Sequence, residues 1–170
     1  MAAHLIKRFF TTLFARDLNE EERTWLFAHL NVGERDLWER FERADRRHSY
    51  QVAKRAEKFF GDDATPVVIA AAALHDIGKI EVKAGVFLRV LATLASTTGS
   101  EAQVYSWSQE PGWLGRAGRY LRSHELAEEH LVAAGSDPLV VAWAREHELA
   151  PSRWTIPREV GAILKRADDI

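Results

Sequence analysis

Pro66-Val67-Val68-Ile69-Ala70-Ala71-Ala72-Ala73-Leu74-His75-Asp76 is the stretch on which the fold class turns. An unbroken apolar run of this kind fits a strand buried on both faces or a helix buried all round, because neither has a polar side. The four alanines at 70 to 73 decide for the helix, since alanine surrenders the least side-chain freedom there. Pro66 fits the first turn, where a missing N–H leaves no bond unmade.

Working outward, the same period continues. Leu37, Trp38, Phe41, Val52, Ala56 and Phe59 keep a helical spacing between Glu34 and Phe60, with a break expected near Asp45 and a stop at Gly61. Asn19 with Glu22 forms a capping box ahead of Trp25-Leu26-Phe27. Val86 to Leu94 is apolar with a period near that of a helix, whereas Thr97 to Pro111, with Gly99, Ser100, Ser106 and Ser108, is expected to be a loop. Helices are expected to begin near Trp113 and around His124. Gly135 then Asp137-Pro138 reads as a stop, a cap and a first-turn proline, and Pro157 as the start of the last helix. Ile6, Phe9, Phe10, Leu13 and Phe14 form an apolar stripe, so residues 4 to 16 read as an amphipathic helix. No segment alternates long enough to give a strand, and the expected fold is all-α.

Composition narrows the function. At 170 residues the chain is expected to form a single domain with a real core. Its net charge of −2 argues against a dedicated nucleic-acid-binding surface or a polybasic membrane anchor. There are no cysteines, so disulfides and thiolate metal sites are excluded. Any metal must be held by imidazole and carboxylate, which suits Zn, Fe, Mn, Mg or Co. No apolar run approaches the ~20 residues needed to span a bilayer. Lys7, Arg8 and Arg16 interrupt the apolar N-terminal residues, so a cytoplasmic location is expected. Docking of residues 4 to 16 on a membrane surface competes with the commoner alternative, packing against the domain itself or a second subunit.

The end of the opening stretch carries chemistry. In Leu74-His75-Asp76-Ile77-Gly78-Lys79-Ile80, two metal-ligand side chains are adjacent and an amine follows one turn later. Burying such a pair costs on the order of several kcal/mol unless it is compensated, and a divalent metal compensates it. On a helix His75 and Asp76 point about 100° apart, which suits one ligand beside a bridging carboxylate. Other candidates extend apolar stripes: His48 with Val52, Ala56 and Phe59; His124 with Ala127 and Leu131; His147 with Val140, Trp143 and Ala144; Asp168 with Leu164. A lone histidine on such a face is more often a core residue bonded to backbone, and that alternative stays open for His124 and His147. His4, His29 and His130 carry no motif.

The order His48, His75-Asp76, His124, His147, Asp168 resembles the HD superfamily of metal-dependent phosphohydrolases, over roughly residues 45 to 170. The resemblance implies an HD-type helical bundle at 45–170, preceded by a helical extension at 1–44. It implies that His48, His75, Asp76, His124, His147 and Asp168 hold divalent metal ions, two of them, as in the family's dinuclear members. Asp169 competes with Asp168 for the last place, and the Ala167-Asp168 context favours Asp168. Asp76 and Lys79 would be the catalytic pair, the lysine facing the charge of a phosphoryl group. The substrate would be a small phosphorylated metabolite such as a nucleotide, cleaved as a phosphomonoester or phosphodiester. Arg116, Arg119 and Arg122, and Arg46 and Arg47, could add phosphate-binding charge or be ordinary solvated cations. Trp107, Trp113, Trp143 and Trp154 could stack on a base or be core. The sequence Glu146-His147-Glu148-Leu149-Ala150-Pro151 lacks the Gly-Tyr-Pro signature of the family's cyclic-di-GMP phosphodiesterases, which counts against that branch. Two other functions fit the same ligands: a diiron oxygenase of the HD type, and a non-catalytic metal-binding sensor or scaffold.

Overall fold

The computed structural model describes residues 16–81 and 101–169, and among these it is all-α, with no strand. The N-terminal stripe at 4 to 15 and the apolar segment Val86 to Leu94 lie outside the described residues.

Two short helices come first, α1 (Glu20–Phe27) and α2 (Val32–Glu39), and each opens on a complete capping box. Asn19 and Glu22 form the first as expected. The second, Asn31 with Glu34, is an additional start signal that explains why a new helix begins so soon after the first. α3 (Arg43–Phe60) is the longest, and Gly61, at φ 56°, ends it in a conformation that glycine adopts freely. The break before α3 falls at residues 40–42 rather than near Asp45, which lies in the first turn of α3. Arg46 explains the shift, because its guanidinium donates to Glu39 O and Phe41 O and caps the end of α2.

α4 (Pro66–Leu74) is buried on every side, from Val68 through Leu74. Thr65 caps it and Pro66 takes the first turn. A short 3-10 turn at Ile77–Glu81 follows. α5 (Glu101–Gln109) and α6 (Gly112–Leu121) form a pair, so a helix occupies most of the segment expected to be a loop. The serines there do not break it: Ser108 Oγ donates to Tyr105 O within the helix, and Arg119 and Arg122 reach back to Ser108 from α6. Gly118 permits the approach, since a Cβ at that position would stand 2.4 Å from Ser108 N. Tertiary packing therefore overrides the local signal.

α7 (Ser123–Ala133), α8 (Pro138–Glu146) and α9 (Arg158–Asp168) complete the described chain. Asp137 caps α8 by accepting from Leu139 N, and Pro157 precedes α9. α4 packs against α3, α8 and α9, while α7 lies on α8 and on the 3-10 turn. Leu26, Leu30, Leu37, Trp38 and Phe41 join Val52, Ile69, Leu131, Trp143 and Leu164 in one apolar core. Burying each large side chain contributes roughly 1.5–3 kcal/mol, so α4, apolar all round, is the natural centre of the bundle. Among the described residues no helix is long and apolar enough to cross a membrane.

Candidate metal centre

Five of the candidate residues converge where α3, α4, α8 and α9 meet. His48 projects from the interior of α3, while the others stand at helix C-termini. His75 is the C-cap of α4 with Asp76 next to it, His147 is the C-cap of α8, and Asp168 is the last residue of α9. Three helix C-termini thus bring the negative ends of their dipoles to one place, an environment that favours a cation.

The separations are short. His48 Nε2 lies 3.2 Å and His75 Nε2 3.4 Å from Asp168 Oδ1. Asp76 Oδ2 is 3.5 Å from His75 Nε2 and 3.9 Å from His48 Nε2, and Asp76 Oδ1 is 3.8 Å from His147 Nε2. Oδ2 of Asp76 is therefore the oxygen beside His48 and His75, and Oδ1 the one beside His147. His48, His75 and Asp76 each offer one ligand atom within 4.8 Å of the others, a group that could hold a metal ion. Lys79 pairs with Asp76 Oδ2 across one turn.

The imidazoles are oriented from behind. His75 Nδ1 lies 2.9 Å from Ala72 O and His147 Nδ1 3.1 Å from Ala144 O. A carbonyl only accepts, so each Nδ1 carries its proton and each Nε2 is left facing the cluster. The Nε2 atoms of His48 and His75 are buried and, among the described residues, make no well-formed hydrogen bond, only the approaches to carboxylate oxygens given above. Buried polar nitrogens without such a bond are rare, and two aimed at one pair of carboxylates fit a cation between them. The donor set of imidazole and carboxylate fits a divalent transition metal or magnesium better than a soft ion.

Electrostatics bind the cluster together. Burial acts most strongly on Asp76 and would raise its carboxyl, but Lys79 and then His75, His147 and His48 outweigh it and hold it far below the usual carboxylate range. Asp168 is likewise pushed up by burial and pulled much further down by His48 and His75. Burial works to lower His75, yet Asp76 and Asp168 outweigh it and lift its imidazolium to about 9. His147 is pushed down, first by burial and then by the charge on His75.

The sequence candidates divide clearly. Asp168 faces the histidines, whereas Asp169 is exposed and pairs with Lys165 at 2.9 Å. His124 stands in the first turn of α7, but its side chain lies outside the described residues. The arginine groups are engaged elsewhere: Arg46 holds Asp17, Arg47 holds Glu22 and the Asp17 carbonyl, and Arg119 and Arg122 tie α6 to Ser108. Arg116 is exposed. Trp143 is core, Trp154 donates to the carbonyls of Glu146 and Leu149, and Trp113 is exposed. His29 Nδ1 is bound at Trp25 O.

Several supporting residues carried no sequence signal. Ser49 and Arg55 reach the main-chain carbonyls of Ala73 and Ala167, shortly before His75 and Asp168, and buried Glu146 accepts from Thr155 N and Thr155 Oγ1, fixing the chain around His147. Glu148 stands 3.9 Å from His147 Nε2, and only its adjacency to His147 could have drawn attention to it. Exposure grades across the site, from His75 at 2% to His48 at 28%, so the cluster opens on the side of α3 and α9. Compared with protein-family models, with curated proteins and with solved structures, the chain matches none.

Proposed function

We propose that this protein is a metal-dependent phosphohydrolase of the HD type. It would cleave a phosphomonoester or phosphodiester of a nucleotide or similar small phosphorylated metabolite. The observation that carries the reading is the convergence of the two buried Nε2 atoms of His48 and His75 on the carboxylates of Asp76 and Asp168, with no well-formed hydrogen bond to either nitrogen among the described residues.

His48, His75, Asp76 and Asp168 would hold one metal ion, and His147 with Asp76 would contribute to a second, joined by His124 if the resemblance to the HD superfamily holds. Divalent metals bound there would supply Lewis-acid polarisation of a phosphoryl oxygen and a lowered pKa for water. The chain's own residues do the rest. Asp76 presents an oxygen to each side and stays ionised, because Lys79 and the histidines hold its carboxyl down. Each Nδ1 of His75 and His147 keeps its proton and donates it to the carbonyl behind it, which holds the ring's orientation. Lys79 keeps a positive charge beside Asp76, where it can pair with a non-bridging phosphoryl oxygen as negative charge grows. The more exposed His48 and Asp168 face the route by which a substrate would enter.

Metal content by mass spectrometry, on protein purified without chelators and assayed in parallel against phosphatase and phosphodiesterase substrates, tests this. About two Mn, Mg, Zn, Fe or Co per chain, with phosphate release, is the expected result. Two irons with no phosphate release would move the reading to an oxygenase. Bound metal without any turnover would leave a sensor or scaffold.

A further inference from the structure

α3 contributes one ligand, yet two of its other side chains grip the main chain just before ligands on other helices. Ser49, next to His48 and 2% exposed, donates its hydroxyl to Ala73 O at 2.6 Å and accepts from Trp38 Nε1 at 2.9 Å. Ala73 lies two residues before His75. Trp38, 1% exposed, leaves that hydroxyl one orientation, since the indole can only donate. Two turns beyond His48 and on its face of α3, Arg55 Nε donates to Ala167 O at 2.6 Å, the carbonyl directly before Asp168. Both carbonyls belong to the last turn of a helix, where the intrahelical partner is missing. Satisfying an orphan carbonyl would explain either bond alone. Together they do more, because both start on the helix of His48 and end beside His75 and Asp168. Among the described residues the Nε2 atoms of His48 and His75 make only ion-pair approaches of 3.2 and 3.4 Å to Asp168 Oδ1 and no well-formed hydrogen bond, so contacts from outside the cluster are needed to set their spacing.

We propose that Ser49 and Arg55 are positioning residues of the metal centre, setting His48 against His75 and Asp168. The proposal rests on the metal-binding reading above. A ligand set must be held to within about 0.5 Å to keep its affinity, and losing an outer contact of this kind weakens metal binding about 10- to 100-fold.

The test uses the full chain carrying Ser49→Ala, Arg55→Met or Leu26→Ala. Each variant is titrated with Co2+ while its visible absorption is recorded, and each is unfolded thermally without metal. Leu26 is a fully buried residue of α1, which supplies no ligand, and serves as the stability control. Ser49→Ala and Arg55→Met are expected to bind Co2+ about 10- to 100-fold more weakly with an altered spectrum, whereas Leu26→Ala loses stability and keeps the wild-type affinity and spectrum. Either variant that binds Co2+ as the wild type does, however unstable, overturns the claim for that residue. Should Ser49→Ala fail to fold, Arg55→Met, at a partly exposed position, carries the test. A wild-type chain that takes up no Co2+ would sink the metal-binding reading itself, and this proposal with it.

Discussion

α4 and α8 are built alike and end alike, and they deliver histidines with opposite character. Each starts on a capping side chain followed by proline, and each ends in a histidine whose Nδ1 is bound to the carbonyl three residues earlier. His75 then lies between Asp76 and Asp168, which outweigh its burial and lift it to about 9, while His147 is pushed down, first by burial and then by the charge of His75. The same local device therefore yields a proton-holding imidazole on one side and a neutral one on the other. What differs is the company, and that is set by which helix C-termini meet. On the proposed metal-binding reading, a metal arriving beside His75 at neutral pH would displace a proton, whereas beside His147 the lone pair of Nε2 would already be available.

Asp76 is the residue that both sides share, so its loss should abolish the contrast altogether. Asp76→Asn keeps the shape but removes the charge facing His48, His75 and His147. Metal content measured by mass spectrometry and phosphate release should both fall to background. Wild-type metal content in this variant would mean that the centre is wrongly placed.

Next in size is the separation of the two sides. If the proposed two-metal site is right, His75→Gln should strip the ion assigned to His48 and Asp168 and end activity. His147→Gln should leave that ion and lower the content from about two per chain to about one. Equal losses from both variants would show that the two sides are not distinct.

The pH dependence is smaller and has a definite sign. His75 is raised above its ordinary 6.5, so in metal-free protein its pairing with Asp76 and Asp168 stabilises fully below 6.5 and is lost as pH rises through about 9. Thermal unfolding of metal-free protein should therefore weaken across that window, while the metal-loaded form should not weaken for this reason. Calorimetry in buffers of different ionisation enthalpy should show net proton release on metal binding below about 9. Absence of proton release would contradict the charged state of His75.

The least effect belongs to the helix starts. Asp137→Ala and Thr65→Ala should each destabilise by about 1 kcal/mol or less in thermal unfolding. Asp137 should matter more, since its bond to Leu139 N is 2.8 Å and that of Thr65 to Val68 N is 3.5 Å. A larger loss at Thr65 would show that burial of α4 magnifies its cap.

Much of the fold was legible because its signals are local. Capping residues, first-turn prolines and Gly61 and Gly135 mark helix ends through bonds and dihedrals made within a few residues. Where the cause was distant the reading failed: α5 forms through the grip of α6 on Ser108, and the break before α3 falls where Arg46 reaches back. The site divides in the same way. His75-Asp76 and Lys79 stand out because adjacent ligands and a one-turn amine are local facts. That Arg46, Arg47, Arg119 and Arg122 hold main chain and carboxylates rather than facing the cluster could not be read from their spacing.

The sequence by itself determined the helical period, most of the helix starts and the types of ligand available, because these depend on neighbours one to four residues away. Only the tertiary structure decided that Asp168 rather than Asp169 faces the histidines, that different oxygens of Asp76 stand beside His75 and His147, and that those two histidines are shifted in opposite directions. Those outcomes arise from the meeting of α3, α4, α8 and α9, and from the burial and Coulomb fields that exist once they meet.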